Sequence, residues 1–541
     1  MDSQNISFKA ANIRVAAISD THGRIKRTGD FVAAAAKDSF FKVNKPDSEV
    51  NILSIVGDWF MKPGTKGIYK SFADPIGKIQ AHFLKIMLDS FNNFRALYTP
   101  GNHCLEDGDA LFLDLIKNIR MTPLISNAEK IDEYASSCII DVKDDKNPEK
   151  VRQMLMLGVM PPNMDFYSPK SVSKIRVSDN IPVKDTDLTP ENIKKTINSV
   201  SEKIKDFKQS HPESPVMLMV HSYSTLVDLL CESADIDCIL QGHEHGGYQR
   251  EYVNTKGKKT LVHNLSQNFK NFVKLNVHFD DDGKFSINSE VADIPVSSPD
   301  DIFVRLYNRI FLRDRQGIIT IDGAPGFLKS NNVRYADNPI AKLVTDTVRE
   351  KLNRQYPDVS MVAINTSTFR RDLPVGTPIN NLMFTELFAG LSEKEGRLYI
   401  GQVSGADIIK TVFDNISENL LNELRNCLIA WSGLSFDKGK FAEELPKFCN
   451  PKNLSPREIN LAKHLIRIPD KNGNYAPIDP GKFYEIAVTK KFFKRLPAYK
   501  SGIFSRNFSD TGTTALKTFL SAVEEKAANG ETLKIPADKR V

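Results

Sequence analysis

Five polar clusters in the first half of this 541-residue chain carry the residue types of divalent-metal chemistry. They are Asp20-Thr21-His22-Gly23, Gly57-Asp58, Gly101-Asn102-His103, His221 and Gly242-His243-Glu244-His245. Five of the ten histidines fall within them, a concentration that a solvated surface has no reason to produce. Carboxylate, amide oxygen and neutral imidazole together favour manganese, zinc, iron or cobalt over calcium, which takes oxygen alone. A carboxylate shared by two such ions roughly 3.5–4 Å apart is the arrangement used for in-line displacement at phosphorus. Asp-x-His and His-x-His spacing lets two side chains of one extended turn point the same way. Any one of these clusters alone is most often a turn; their joint occurrence points to a metal pair.

Chemistry of this kind needs a scaffold that delivers each cluster to one place. Apolar runs at Ile13–Ser19, Val50–Val56, Phe94–Tyr98, Met154–Val159, Val216–Val220 and Ile236–Gln241 read as buried strands. Amphipathic stretches at Ile79–Phe91 and Pro190–Lys208 read as helices between them. Strand, turn and helix in that order predict an α/β layered domain, with its chemistry beyond the carboxyl ends of the strands. After Gly246 the pattern turns to hairpins, with strands at Thr260–Asn264 and Asn271–Phe279 and a turn at Asp280–Gly283. The stretch PVSSPDD, 295–301, reads as a boundary followed by a helix over Asp301–Phe311. A second domain then carries a helix at Ile340–Leu352, strands at Met361–Ile364 and Tyr484–Val488, and a final helix at Thr513–Ala528. The expected division is therefore 1–295, a linker at 296–317, and 318–541.

Composition sets the class. Hydrophobic residues are 41% and charged residues 26%, the balance of a globular protein. A net charge of +6 over this length gives no argument for a nucleic-acid partner. The basic run Lys490–Arg495, with Phe492 and Phe493 inside it, reads as a solvated face by the same reasoning. No apolar stretch of about 18 residues predicts a membrane span, and none follows a basic start as a signal peptide would. The six cysteines form neither a disulfide framework nor a zinc ribbon and read as reduced thiols in a cytoplasmic protein.

At these clusters the chain resembles the calcineurin-like metallophosphoesterases, whose pattern is D-x-H, G-D, G-N-H, H and G-H-x-H in that order. The resemblance covers most of residues 11–290 and implies a four-layer αββα sandwich. It implies one metal held by Asp20, His22, Asp58 and His245, and a second by Asp58, Asn102, His221 and His243, with Asp58 as the bridge. His103 is left off the metals, to polarise the phosphoryl oxygen or protonate the leaving group. Glu106 or Asp107 would orient it. Cys104 reads as packing.

The residues beyond 290 resemble the C-terminal domain of the 5′-nucleotidases, which implies an α+β fold. Asn365-Thr366-Ser367-Thr368-Phe369-Arg370 stands where that family has N-x-G-G-x-R, and Gln402–Ile408 resembles its strand-glycine-helix unit. The family's G-G-D-G after a phenylalanine is absent. By this resemblance Arg334, Asn365 and Arg370 hold phosphate or ribose, and Phe388 and Phe493 stack the base. The expected function is a two-metal hydrolase acting on a small-molecule phosphoester, a nucleotide by the same resemblance. A phosphodiesterase or nucleotide-sugar pyrophosphatase is the alternative on the same site, and a non-catalytic binding module is the rival from another class.

Overall fold

The computed structural model describes residues 11–535 except 24, 43–47, 61–75, 92–93, 106, 130–131, 162–174, 176–189, 296–317, 325, 329–337, 370–371, 380–382, 385–386, 389–392, 422–428, 437, 449–453, 470–473 and 494–507. The chain divides into two compact units, Met1–Ile310 and Phe311–Val541. The expected linker and the helix expected at Asp301–Phe311 lie outside the described residues.

The first unit begins with β1 (Ala11–Ser19), α1 (Ile25–Lys37), β2 (Glu49–Val56), α2 (Ile76–Ser90), β3 (Phe94–Thr99), α3 (Asp109–Ile116) and β4 (Thr122–Pro123). It continues with β5 (Cys138–Lys143), β6 (Val151–Val159), α4 (Pro190–Ser210), β7 (Val216–His221), α5 (Ser224–Ser233) and β8 (Cys238–Gly242). It closes with β9 (Tyr248–Val253), β10 (Lys259–Asn264), β11 (Asn271–Phe279) and β12 (Phe285–Asp293). Two six-stranded sheets result, in the orders β12-β11-β1-β2-β3-β4 and β5-β6-β7-β8-β10-β9. The expected strands are all present. β4, β5, β9 and β12 are additions, and β5 alternates buried and exposed residues along CIIDVK in the folded chain.

The layering follows from which faces are apolar. Ile13, Val15, Ile52 and Val56 meet Met217, Met219 and Leu240 between the sheets. Ala16, Ile18, Leu53 and Ile55 turn outward to Phe31, Leu84 and Phe112 from α1, α2 and α3. Leu157, Leu218 and Ile239 turn the other way, to Val200, Ile204, Leu226 and Leu230 of α4 and α5. Strands buried on both faces read as unbroken apolar runs, as β7 does with every residue buried. The outcome is helix, sheet, sheet, helix.

Register then decides where polar residues emerge. β1, β2 and β3 are parallel, with Ser19 beside Val56 and Val56 beside Thr99, so three carboxyl ends stand level. In the other sheet β7 and β8 are parallel and His221 pairs with Gly242. Each polar cluster follows one of these ends.

In the second unit a mixed five-stranded sheet runs in the order Ile429–Ser432, Val359–Asn365, Phe483–Thr489, Arg397–Ser404, Phe508–Thr514. Met361, Ala363, Ile486 and Val488 pack with Ile408, Val412 and Phe413 of the helix Gly405–Leu421. The helix Pro339–Asn353 starts where the Asn338 side chain accepts from the Ile340 and Ala341 amides, with Pro339 at its first position. No helix among the described residues is long and apolar enough to cross a membrane.

Candidate metal centre

The backbone marks the site before any side chain is considered. Seven non-glycine residues among those described have positive φ, and five are Asp20, His22, Asp58, His243 and His245, at 43° to 87°. Such a conformation costs an L residue roughly 1–3 kcal/mol and persists only where the surroundings over-determine it. Here the surroundings are the strand ends. The His22 amide donates to the Asp58 carbonyl at 2.8 Å, and the Asn268 amide to that of Asp20 at 2.8 Å.

The side chains converge as two groups with a carboxylate between them. Asp20 Oδ1 lies 3.0 Å from His245 Nε2 and 4.0 Å from His22 Nε2. Asn102 Oδ1 lies 3.2 Å from His221 Nε2 and 3.1 Å from His243 Nδ1. Asp58 Oδ2 is 3.3 Å from His221 Nε2, while Asp58 Oδ1 accepts from the His103 amide at 2.9 Å. Donor atoms of Asp20, His22 and His245 lie within 4.8 Å of one another, as do those of Asp20, Asp58 and His221. The same holds for His22, Asp58 and His103, so distance alone does not separate His103 from the other candidate ligands. These buried aspartate and histidine clusters fit a dinuclear metal site in donor type and spacing.

Electrostatics bind the arrangement together. Burial alone would raise the Asp20 carboxyl, but His245, His221 and His22 hold it well below the ordinary range. Asp58 likewise stays low against its burial, through His221 and His103. Burial opposes charge on His221, yet Asp58 and Asp20 push it up to about 9. Burial and the neighbouring His221 charge hold His243 down at about 3, which leaves its imidazole neutral with a lone pair to offer.

Several supports were not legible in the sequence. Ser19 Oγ donates to Asp20 Oδ2 at 2.5 Å, and the His243 amide donates to the same oxygen at 2.9 Å. Glu244, between the two histidines, accepts from the Ser224 amide at 2.8 Å and from Ser224 Oγ at 2.5 Å. Its carboxylate thus sits at the amino end of α5 and ties the turn down. Asn264 Oδ1 accepts from the Gly246 amide at 2.6 Å. A Cβ on Gly57 would fall 1.8 Å from His221 Nδ1, and one on Gly101 would fall 2.2 Å from Asp58 Oδ1. Cys104 is buried, with Tyr98 Oη 2.7 Å from its Sγ, and burial and Asp58 raise its thiol to about 12. It is a packing residue in that state.

The remaining expected site residues are spread more widely. Asp107 is exposed, and Glu106 lies outside the described residues. Asn365 is buried at the end of its strand, while Arg334 and Arg370 lie outside the described residues. Phe493 closes the short helix Lys490–Phe493, and its side chain is likewise outside the description. Phe388 requires a correction. It is 2% exposed, with its ring 5.7 Å from Phe369 and 5.6 Å from Phe519, so it is core and offers no open face for stacking.

Residues 13–247 match the calcineurin-like phosphoesterase family. No curated protein matches the chain in sequence. Among solved structures, a 5′-nucleotidase precursor from Thermus thermophilus is 15% identical at a TM-score of 0.65, over 98% of each chain. The sulfate thiohydrolase SoxB of the same genus is 14% identical at a TM-score of 0.62, over 98% of this chain and 96% of that one. A putative 5′-nucleotidase from Staphylococcus aureus is 12% identical at a TM-score of 0.54, over 98% of this chain and 99% of that one. At such identities the likeness is one of fold.

Two outcomes follow from this geometry. Gly57→Ala should strip the protein of metal, because the new methyl group occupies the place of the His221 ring. Gly257→Ala is the control, since Gly257 has a similar φ of 79° but nothing within 4 Å of the added atom. Elemental analysis of both variants should find metal lost in the first and kept in the second. Separately, a cation taken up by His221 would have to displace the proton that this imidazole holds below about 9. Apparent metal affinity should therefore fall as pH falls, by roughly tenfold per unit for each proton displaced. A titration giving the same affinity in mildly acidic and mildly alkaline buffer would contradict this.

Proposed function

We propose, from the premise that residues 13–247 are a calcineurin-like phosphoesterase domain, that this hydrolase is a dinuclear phosphomonoesterase of the 5′-nucleotidase type. The observation that carries the reading is Asp58, a buried carboxylate whose oxygens meet His221 on one side and the His103 amide on the other. It groups with His22 and His103 as closely as with Asp20 and His221. One cation would be held by Asp20, His22, Asp58 and His245, the other by Asp58, Asn102, His221 and His243. Bound there, such ions supply Lewis acidity toward the phosphoryl group and toward the attacking water.

The chain's own residues do the rest. The His103 side chain is 19% exposed, against 11% for His245, 1% for His22 and 0% for His221. Its backbone amide anchors it to Asp58, which places the residue beside the reacting group, where an imidazole can serve the leaving oxygen as a general acid. Glu106 or Asp107 would orient that ring. Asn365, with Arg334 and Arg370, would grip phosphate or ribose, since a planar guanidinium matches phosphate oxygens in pairs. Phe493 is the remaining candidate for stacking a base.

Asp58→Asn should abolish turnover while the fold persists, because an amide brings neither the charge nor two good ligand oxygens to a shared position. Near-normal activity with full metal occupancy would refute the bridging role. His103→Ala should lower kcat by roughly two to four orders of magnitude and retain metal. Loss of metal in that variant would place His103 among the ligands instead. A panel of nucleoside monophosphates, sugar phosphates, a nucleotide sugar and a bis-aryl phosphodiester, assayed with manganese and with zinc, tests the substrate class. Preference for the last two over every monoester would favour the diesterase or pyrophosphatase reading.

A further inference from the structure

The first unit exposes two large aromatic rings among its described residues, Tyr223 at 39% and Tyr248 at 42%. Both flank the His243–Glu244–His245 turn. The Tyr223 ring stands at 89° to that of His243, with centroids 4.5 Å apart. The Tyr248 hydroxyl lies 3.3 Å from Ser224 Oγ, the residue next to Tyr223. Neither ring is on a loose loop. The Tyr223 carbonyl accepts from the Leu226 amide at 3.0 Å as α5 begins, and Glu244 locks Ser224 in place. Tyr248 opens β9, paired with Asn264. Two rigid, amphipathic rings held open beside a buried polar centre form a stacking surface, because a planar ligand group covers apolar area there at little ordering cost.

We propose that Tyr223 and Tyr248 form an aromatic shelf that receives the planar leaving group of the phosphoester, so that the first unit itself discriminates aromatic from aliphatic esters. This rests on the phosphomonoesterase reading for its substrate class. Tyr223 is then a specificity-determining residue, and bracing His243 is the competing role.

Binding of two phosphonates that resist hydrolysis separates these roles. Phenylphosphonate and ethylphosphonate are titrated calorimetrically into the full-length, manganese-loaded protein, wild type, Tyr223→Ala, Tyr223→Phe and Tyr248→Ala. Wild type should prefer phenylphosphonate. Tyr223→Ala should lose roughly 5- to 150-fold of affinity for it with little change toward ethylphosphonate, and Tyr223→Phe should restore the preference. Tyr248→Ala should reduce it. Equal losses toward both ligands, loss of manganese from Tyr223→Ala, or a wild type that binds neither or prefers neither would overturn the shelf. Turnover is read apart from binding: a wild type that prefers phenylphosphonate but hydrolyses no monoester sinks the proposed activity and leaves the shelf standing.

Discussion

Two carboxylates, Asp20 and Asp58, are buried side by side at the ends of adjacent parallel strands, and the rest of the first unit accommodates that fact. Like charges in a low-dielectric interior are costly unless positive charge is close at hand. His221 supplies some of it, drawn up to about 9 by the two aspartates. A pair of dications would supply more. Either way the carboxylates require imidazoles on several sides, and those imidazoles come from separated places in the chain. The two sheets exist, from the site's point of view, to bring those places together.

Register is how they do so. A one-residue slip between β1 and β2 would turn every side chain of the slipped strand to the opposite face and separate Asp20 from Asp58. The apolar faces prevent it, since both sides of these strands are packed and a slip would bury Asn12 or Arg14 where Ile13 and Val15 now sit. The strands therefore stop level, and the chain must leave them abruptly. That abruptness is the left-handed backbone at Asp20, His22, Asp58, His243 and His245. Strain of this kind is stabilised by the packed layers behind it and gives the side chains no freedom to drift, which is what a metal site needs.

The clusters were legible because each is local: a few residues at a strand end, in an order that strands alone do not produce. The layered fold was legible from unbroken apolar runs that a solvated strand would not carry. What escaped was assembled from distant parts. Nothing in the sequence near Asn268 links it to the Asp20 carbonyl, and nothing in Gly-His-Glu-His assigns its glutamate to a helix end rather than to a metal. Phe388 escaped for the opposite reason. The resemblance alone offered it as a stacking ring, whereas exposure is a tertiary property, settled by Phe369 and Phe519 around it. β5 escaped because its alternation is one of burial and not of residue type: Ile139 is apolar yet faces solvent, so CIIDVK shows no clean period of two.

The division between what is fixed and what is not has a physical origin. The buried carboxylates, the level strand ends and the glycines pressed against His221 leave little room for substitution, so the same constellation can persist while most of the sequence changes. A 5′-nucleotidase precursor and a sulfate thiohydrolase both share this fold at 14–15% identity. Side chains that are not needed to hold the carboxylates are free of that constraint. In the first unit that means the rim, where Tyr223 touches His243 but is itself open to solvent. In the second unit the strand Val359–Asn365 ends in a further polar stretch. There Thr366 and Thr368 are buried with hydroxyls that accept and donate to no described partner. Of the two, Thr368 stands at the second glycine of the N-x-G-G-x-R pattern, and its β-branched side chain brings bulk and a polar atom where glycine would leave backbone bare. The buried carboxylates constrain the centre, and the residues around it are freer to differ.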